Sequence, residues 1–129
     1  MREILFRGKR KDNGEWETGS LLVERMNTSD QQVMIADKMT GYPTLVLPET
    51  IGQYTGLTDK NGEKIFEHDI VRIAVCGTYD NYVISYDKEN ARFVVGDTGF
   101  TFWSYISTKI EVIGNIYDNP ELMGGNPNG

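Results

Sequence analysis

The sequence predicts a mainly β fold with little helix. Asn-Gly pairs at Asn13-Gly14 and Asn61-Gly62 separate segments that can extend, and both residue types tolerate the backbone of tight hairpin turns. β-Branched and aromatic residues gather in short runs bounded by Gly, Asp, Asn and Thr. No window supports an amphipathic helix longer than about two turns.

The chain has 129 residues, enough for one domain, or one domain with a small subdomain, and for a real core. Net charge is −6 and 39% of residues are hydrophobic, which is globular rather than disordered. The acidic balance argues against a surface that attracts phosphate everywhere, though a local basic patch remains compatible with it. The single cysteine, Cys76, makes no internal disulfide. No apolar run approaches the ~20 residues of a membrane helix, and the N-terminus lacks the apolar core of a signal peptide. A soluble cytoplasmic protein is the expectation, with no membrane contact.

Residues 3–23 read as a hairpin. Ile4 and Phe6 alternate with Glu3, Leu5 and Arg7, and Asp12-Asn13-Gly14-Glu15 forms the turn before a return strand from Trp16 to Val23. Residues 24–32 are polar, with a loop at Asn27-Thr28-Ser29-Asp30. Gln32–Asp37 and Thr44–Leu47 read as further strands, and Pro48 ends the second because it has no N–H for a ladder. No linker composition follows, so the halves are expected to pack together. Gly52 and Gly56 bracket Gln53-Tyr54-Thr55 and suggest a sharp bend or a close approach. Asn61-Gly62 reads as a type I′ turn, with Asp59, Lys60, Glu63 and Lys64 keeping it in water.

From there strands are expected at Ile70–Val75, Tyr82–Tyr86, Arg92–Val95, Phe100–Trp103 and Ile110–Tyr117. The loops between them are Cys76-Gly77-Thr78, Asp87-Lys88-Glu89-Asn90, Gly96-Asp97-Thr98-Gly99 and Ile106-Ser107-Thr108. Five short strands at this spacing suit a small SH3-like barrel. Asn119-Pro120-Glu121-Leu122 carries a cap residue and a first-turn proline, so a short helical turn is expected. The expected organisation is an N-terminal β subdomain over 1–50, the barrel over 51–122 and a disordered tail over 123–129.

The stretch from Ile51 to Val71, with Pro48-Glu49-Thr50 before it, resembles the signature of the YopX family of bacteriophage and prophage proteins. Ile113-Gly114-Asn115-Ile116-Tyr117 with Asn119-Pro120-Glu121-Leu122 fits it too, as does Arg7-Gly8-Lys9 followed by Trp16. The resemblance spans nearly the whole chain. It implies a phage or prophage origin and a small β-rich fold with an SH3-like barrel, and it implies no established activity or catalytic residue. One departure stands out: His68 occupies the place before Asp69-Ile70-Val71 where the family usually has Gly.

No residue set supports catalysis or a cofactor. Glu67-His68-Asp69 places a histidine between carboxylates, but neighbours in a strand point to opposite faces and no further His or Cys is near to complete a metal site. Asp59-Lys60-Asn61-Gly62-Glu63 falls short of a calcium loop, because its glycine comes two places early. Cys76 has no placed partner histidine and reads as a strand-end residue.

Binding residues are easier to nominate. Arg7, Lys9, Arg10 and Lys11 form the one dense basic run, which could contact phosphate or simply be a solvated loop. Tyr79, Tyr82, Tyr86, Phe93, Phe100, Phe102, Trp103 and Tyr105 fall in the barrel half, where they either fill the core or give an aromatic face. The interaction surface is therefore expected among Arg7, Lys9, Arg10, Lys11, Tyr54, Tyr79, Tyr82 and Trp103. The functional expectation is a non-catalytic protein-interaction or self-assembly module, binding another protein or forming a homo-oligomer. Nucleic-acid binding is the alternative. Mimicry of nucleic acid ranks third, since the carboxylates are scattered among Lys and Arg rather than in rows.

Overall fold

The structure, a computed structural model, describes residues 3–25, 31–75, 77–96 and 110–123. It is all-β in class, with short 3-10 turns at Pro48–Thr50 and Pro120–Met123, the latter where a helical turn is expected. The contacts divide the chain into two compact units, Met1–Tyr54 and Thr55–Gly129. No helix among the described residues is long and apolar enough to cross a membrane.

In the first unit, β1 (Phe6–Lys9) and β2 (Trp16–Arg25) form the expected hairpin, with Phe6 opposite Gly19 and Lys9 opposite Trp16. β3 (Gln31–Asp37) pairs along β2 from Gly19 opposite Asp37 to Arg25 opposite Gln31. β4 (Pro43–Leu45) pairs with β3, Leu45 opposite Met34. The start of β5 (Gly52–Thr58) lies on the other side of β1, with Gly52 opposite Arg7. The strand expected to run on to Leu47 stops at Leu45, because the chain there swings back to β1. Arg10 bridges Val46, the Lys11 N–H donates to the Leu45 carbonyl at 3.0 Å, and the Leu47 N–H donates to the Lys9 carbonyl at 2.8 Å. These bonds close β1 to β4 into a ring at that end. Ile35 and Val46, both fully buried, fill its inside. Thr50 locks the crossing: its hydroxyl accepts the Lys9 N–H at 2.9 Å and donates to the Leu47 carbonyl at 2.7 Å. The first apolar residue inside is Leu5, while Ile4 is 52% exposed. Leu5 precedes β1, and within the strand the alternation puts Phe6 and Gly8 on the inner face and Arg7 and Lys9 on the outer one.

The second unit contains the rest of β5, then β6 (Lys64–Phe66), β7 (Asp69–Val75), β8 (Thr78–Asp87), β9 (Arg92–Val95) and β10 (Ile110–Asn115). The last four form a sheet in the order β10-β7-β8-β9. Its inner face carries Val71, Ile73, Ile84, Val95 and Ile110, with Ile65 of β6 packed on them. β10 ends at Asn115, two residues short of Tyr117, because the Asn115 side chain opens a turn by accepting the Tyr117 and Asp118 N–H groups at 3.0 and 2.9 Å. The strand expected at Phe100–Trp103 lies outside the described residues, as do Cys76, Asp97-Thr98-Gly99, Tyr105, Ile106-Ser107-Thr108 and the tail from Gly124. Among the described residues, the last four strands of this unit form one antiparallel sheet, and closure of a barrel is not traced in them.

The Asn61-Gly62 turn differs from expectation. Gly62 has φ +83°, but Asn61 is not in the positive region that a type I′ turn requires of both residues. Asp59 sets the geometry instead. It is 2% exposed, not in water. Its Oδ1 accepts the Asn61 and Glu63 N–H groups at 2.8 and 2.9 Å, and its Oδ2 accepts the Val112 N–H at 2.9 Å. The Lys60 N–H adds a bond to the Ile110 carbonyl at 3.0 Å. The loop thereby covers the outer edge of β10, which would otherwise offer bare ladder groups.

His68 explains its own oddity. Its φ is +75°, a left-handed backbone that favours glycine. Its N–H donates to the Ile84 carbonyl at 2.8 Å, and its own carbonyl accepts the Ile116 N–H at 3.0 Å. The bend is therefore held from both sides, and the imidazole packs edge-on to Tyr117 at 5.5 Å. His68→Val should lower stability by about 2 kcal/mol, because a β-branched residue tolerates this φ worst. His68→Gly should change it by less than about 1 kcal/mol, as relieved strain offsets lost ring contact and a freer unfolded chain. Urea unfolding of the two variants checks this.

Candidate interaction surface

Strand alternation and register place Arg7, Lys9, Trp16, Leu22, Met34 and Leu45 on the outer face of the first unit, opposite the face that carries Ile35. At one corner the Arg7 guanidinium lies 4.7 Å from the Trp16 ring centroid, and the Lys9 ammonium lies 5.6 Å from it. Each such contact is worth about 0.5–1 kcal/mol at an exposed site. Arg10 turns away to bind Asp12 through two bonds, at 3.0 and 2.9 Å, and reaches Glu17 at 3.7 Å. That bidentate bond raises Arg10 above its ordinary value and holds Asp12 below the usual carboxylate range. Much of the charge of the basic run is thus engaged locally. Lys11 stays exposed, on the rim of a concavity of about 510 Å³ that Tyr42, Pro43 and Leu45 also line.

Across the strands Leu22 stands opposite Met34, and Met34 opposite Leu45. Leu22 is 42% and Leu45 38% exposed, so an apolar row faces solvent. Sequence reading missed this row. Alternation along one strand does not say which side the ring encloses, and the neighbours came only with the register. Trp16 and Tyr42 were missed for a similar reason: each is a lone aromatic in sequence, and the fold brings it to the basic run.

The other nominated residues lie elsewhere. Tyr54 is buried and does not reach the surface. Tyr79 is exposed on β8, with the Arg72 guanidinium 6.0 Å from its centroid. Tyr82 is half-buried against the core, over Gly96. Tyr86 is exposed but stacks edge-on with Phe93 at 5.2 Å. Tyr79 and Tyr86 are seven places apart on one strand and so point to opposite faces. They do not form a joint aromatic surface. Trp103 lies outside the described residues, with Phe100 and Phe102. Around His68, Asp69 is fully buried and its carboxylate accepts the Phe66 N–H at 2.8 Å, a structural bond within its own turn.

The chain matches the YopX protein family over residues 5–124. It belongs to that family. It is also similar to a solved protein, EF1440 from Enterococcus faecalis, at 25% identity and a TM-score of 0.60, covering 95% of this chain and 99% of that one. No curated protein matches it. Several residues that carry the YopX resemblance are held in turns. Thr50 fixes the crossing, Asp59 covers β10, Asp69 binds the Phe66 amide, and the Asn119 side chain accepts the Asn115 N–H at 3.3 Å while the Asn119 N–H donates to the Asn115 carbonyl at 2.9 Å. At Gly114 a Cβ would overlap the Asn119 side-chain oxygen, with the Asn119 Cγ at 2.8 Å. The YopX motif supplies turn and packing instructions in these places.

Proposed function

We propose that this member of the YopX family is a non-catalytic module that assembles with a protein partner, its own copy included, through the outer face of its N-terminal unit. In this reading it acts as a phage or prophage accessory protein inside a bacterium. The observation that carries the reading is the row Leu22, Met34, Leu45. Exposed apolar residues scattered singly need no explanation, but a row across three strands, close to Tyr42 at 73% exposure, is a contact surface in search of cover. The turn roles of the family motif support a scaffold rather than an enzyme.

The second reading is nucleic-acid binding, supported by Trp16 with Arg7 and Lys9 and by exposed Lys11. Light scattering of the purified protein separates the two. The expected result is a discrete oligomer whose mass is indifferent to salt and to a mixed oligonucleotide pool. A monomer whose mass rises with the pool only at low salt would sink the first reading and favour the second.

A further inference from the structure

β2 is long, but β1 accompanies it only as far as Gly19. Beyond that point, Ser20 to Arg25 pair with β3 on one side, and no described strand pairs with them on the other. The hairpin bonds set the direction of the free groups. The Arg10 N–H donates to the Glu15 carbonyl, so the odd-numbered residues of β2 turn their N–H and C=O toward the β1 side. Among the described residues, Leu21, Val23 and Arg25 therefore have no strand partner for the ladder groups they turn there. Val23 is 56% exposed and Leu22 42%, on opposite faces of the strand. An open edge flanked by apolar residues on both faces is a template for another strand.

We propose that this edge pairs antiparallel with the same edge of a second copy, around a two-fold axis at Leu22. The proposal rests on the assembly reading above and specifies its partner and register. A two-fold pairing of like edges makes any residue opposite itself the centre. With Leu22 at the centre, Leu22 meets Leu22 of the partner subunit on the outer face. Leu21 meets Val23 of the partner subunit on the other face, apolar against apolar. Ser20 meets Glu24 of the partner subunit, hydroxyl against carboxylate. The backbone parity agrees, since the Leu21 and Val23 groups then face each other as hydrogen-bonded pairs. Centring on Val23 has the same parity but sets Leu22 against Glu24 and Leu21 against Arg25, so side-chain chemistry selects Leu22. The joined strands extend the apolar row through both copies, which accounts for Met34 and Leu45 beside it.

Cysteine cross-linking tests the register. A non-hydrogen-bonded pair at the axis has Cα atoms about 4.5 Å apart, inside the range of about 4.4–6.8 Å that a disulfide accepts. In a Cys76→Ser background, Leu22→Cys should oxidise to a covalent dimer at least about 10-fold faster than Leu45→Cys, because thiols held together act at high effective concentration. Faster cross-linking of Val23→Cys than of Leu22→Cys would overturn the register. An oligomer by light scattering with no preference for Leu22→Cys would overturn the edge pairing and leave the assembly reading standing. A wild-type monomer at every concentration would overturn self-assembly, and the edge pairing with it. Val23→Pro gives an independent arm. It removes an outward N–H without touching the β3 ladder, so it should weaken association about 10-fold or more while circular dichroism stays unchanged. Unaltered association of a folded Val23→Pro protein would count against the edge.

Discussion

Gly19→Ala should destabilise the protein by about 3–5 kcal/mol, among the largest effects of any single methyl group in the chain. A Cβ at Gly19 would overlap the Ala36 carbonyl oxygen, and the Ala36 carbonyl carbon would lie at 2.8 Å. Those atoms are backbone in the paired strand, so no side-chain rotation relieves the clash. Gly19 is opposite both Phe6 and Asp37, which makes it the place where the ladders of β1, β2 and β3 meet. A shift there separates β2 from β3 and loosens the ring around Ile35 and Val46. Gly41→Ala is the control. Its φ is +73° with nothing within 4 Å, so it should cost only about 1–2 kcal/mol through backbone strain. Equal losses for the two variants in urea unfolding would show that crowding at Gly19 is not the cause.

The all-β class and the positions of most described strands were legible because they depend on local signals. Runs such as Arg92–Val95 and Ile70–Val75 alternate or are β-branched, and turn residues bound them. What was not legible depends on contacts between residues far apart in sequence. Asp59 looked like a solvated loop charge because its neighbours are Lys60 and Asn61. Its third hydrogen bond goes to Val112, which no local pattern could reveal. The closing bridge from Arg10 to Val46 was hidden for the same reason: Thr44–Leu47 reads as one strand, and only tertiary pairing bends it at Leu45. The basic run reads as one cluster in sequence. Its charge was overestimated, because the bidentate bond from Arg10 to Asp12 depends on turn geometry. The departure at His68 proved the most informative single residue. A family glycine replaced by His is puzzling in sequence, whereas a left-handed φ held by Ile84 and Ile116 gives it a physical reason.

Asp59→Ala should cost about 3 kcal/mol, and Asp59→Asn should cost nearly as much. The alanine variant leaves three amide donors without their acceptor. The asparagine variant keeps one oxygen for Asn61 and Glu63, but its NH₂ then confronts the Val112 N–H, donor against donor. Burial pushes the Asp59 carboxyl up, yet the Val112, Glu63 and Asn61 amides outweigh it and hold the group below the usual carboxylate range. That direction fixes the pH dependence. A carboxyl depressed in the folded state stabilises fully above its unfolded value of about 3.9, and this contribution is lost as pH falls through the folded value. The gap in stability between wild type and Asp59→Asn should therefore be constant near neutrality and shrink only below about pH 4. Amide exchange at Val112 gives the site-specific reading. Protection there should fall in both variants before the sheet as a whole unfolds, because the Asp59 loop is what covers the edge of β10.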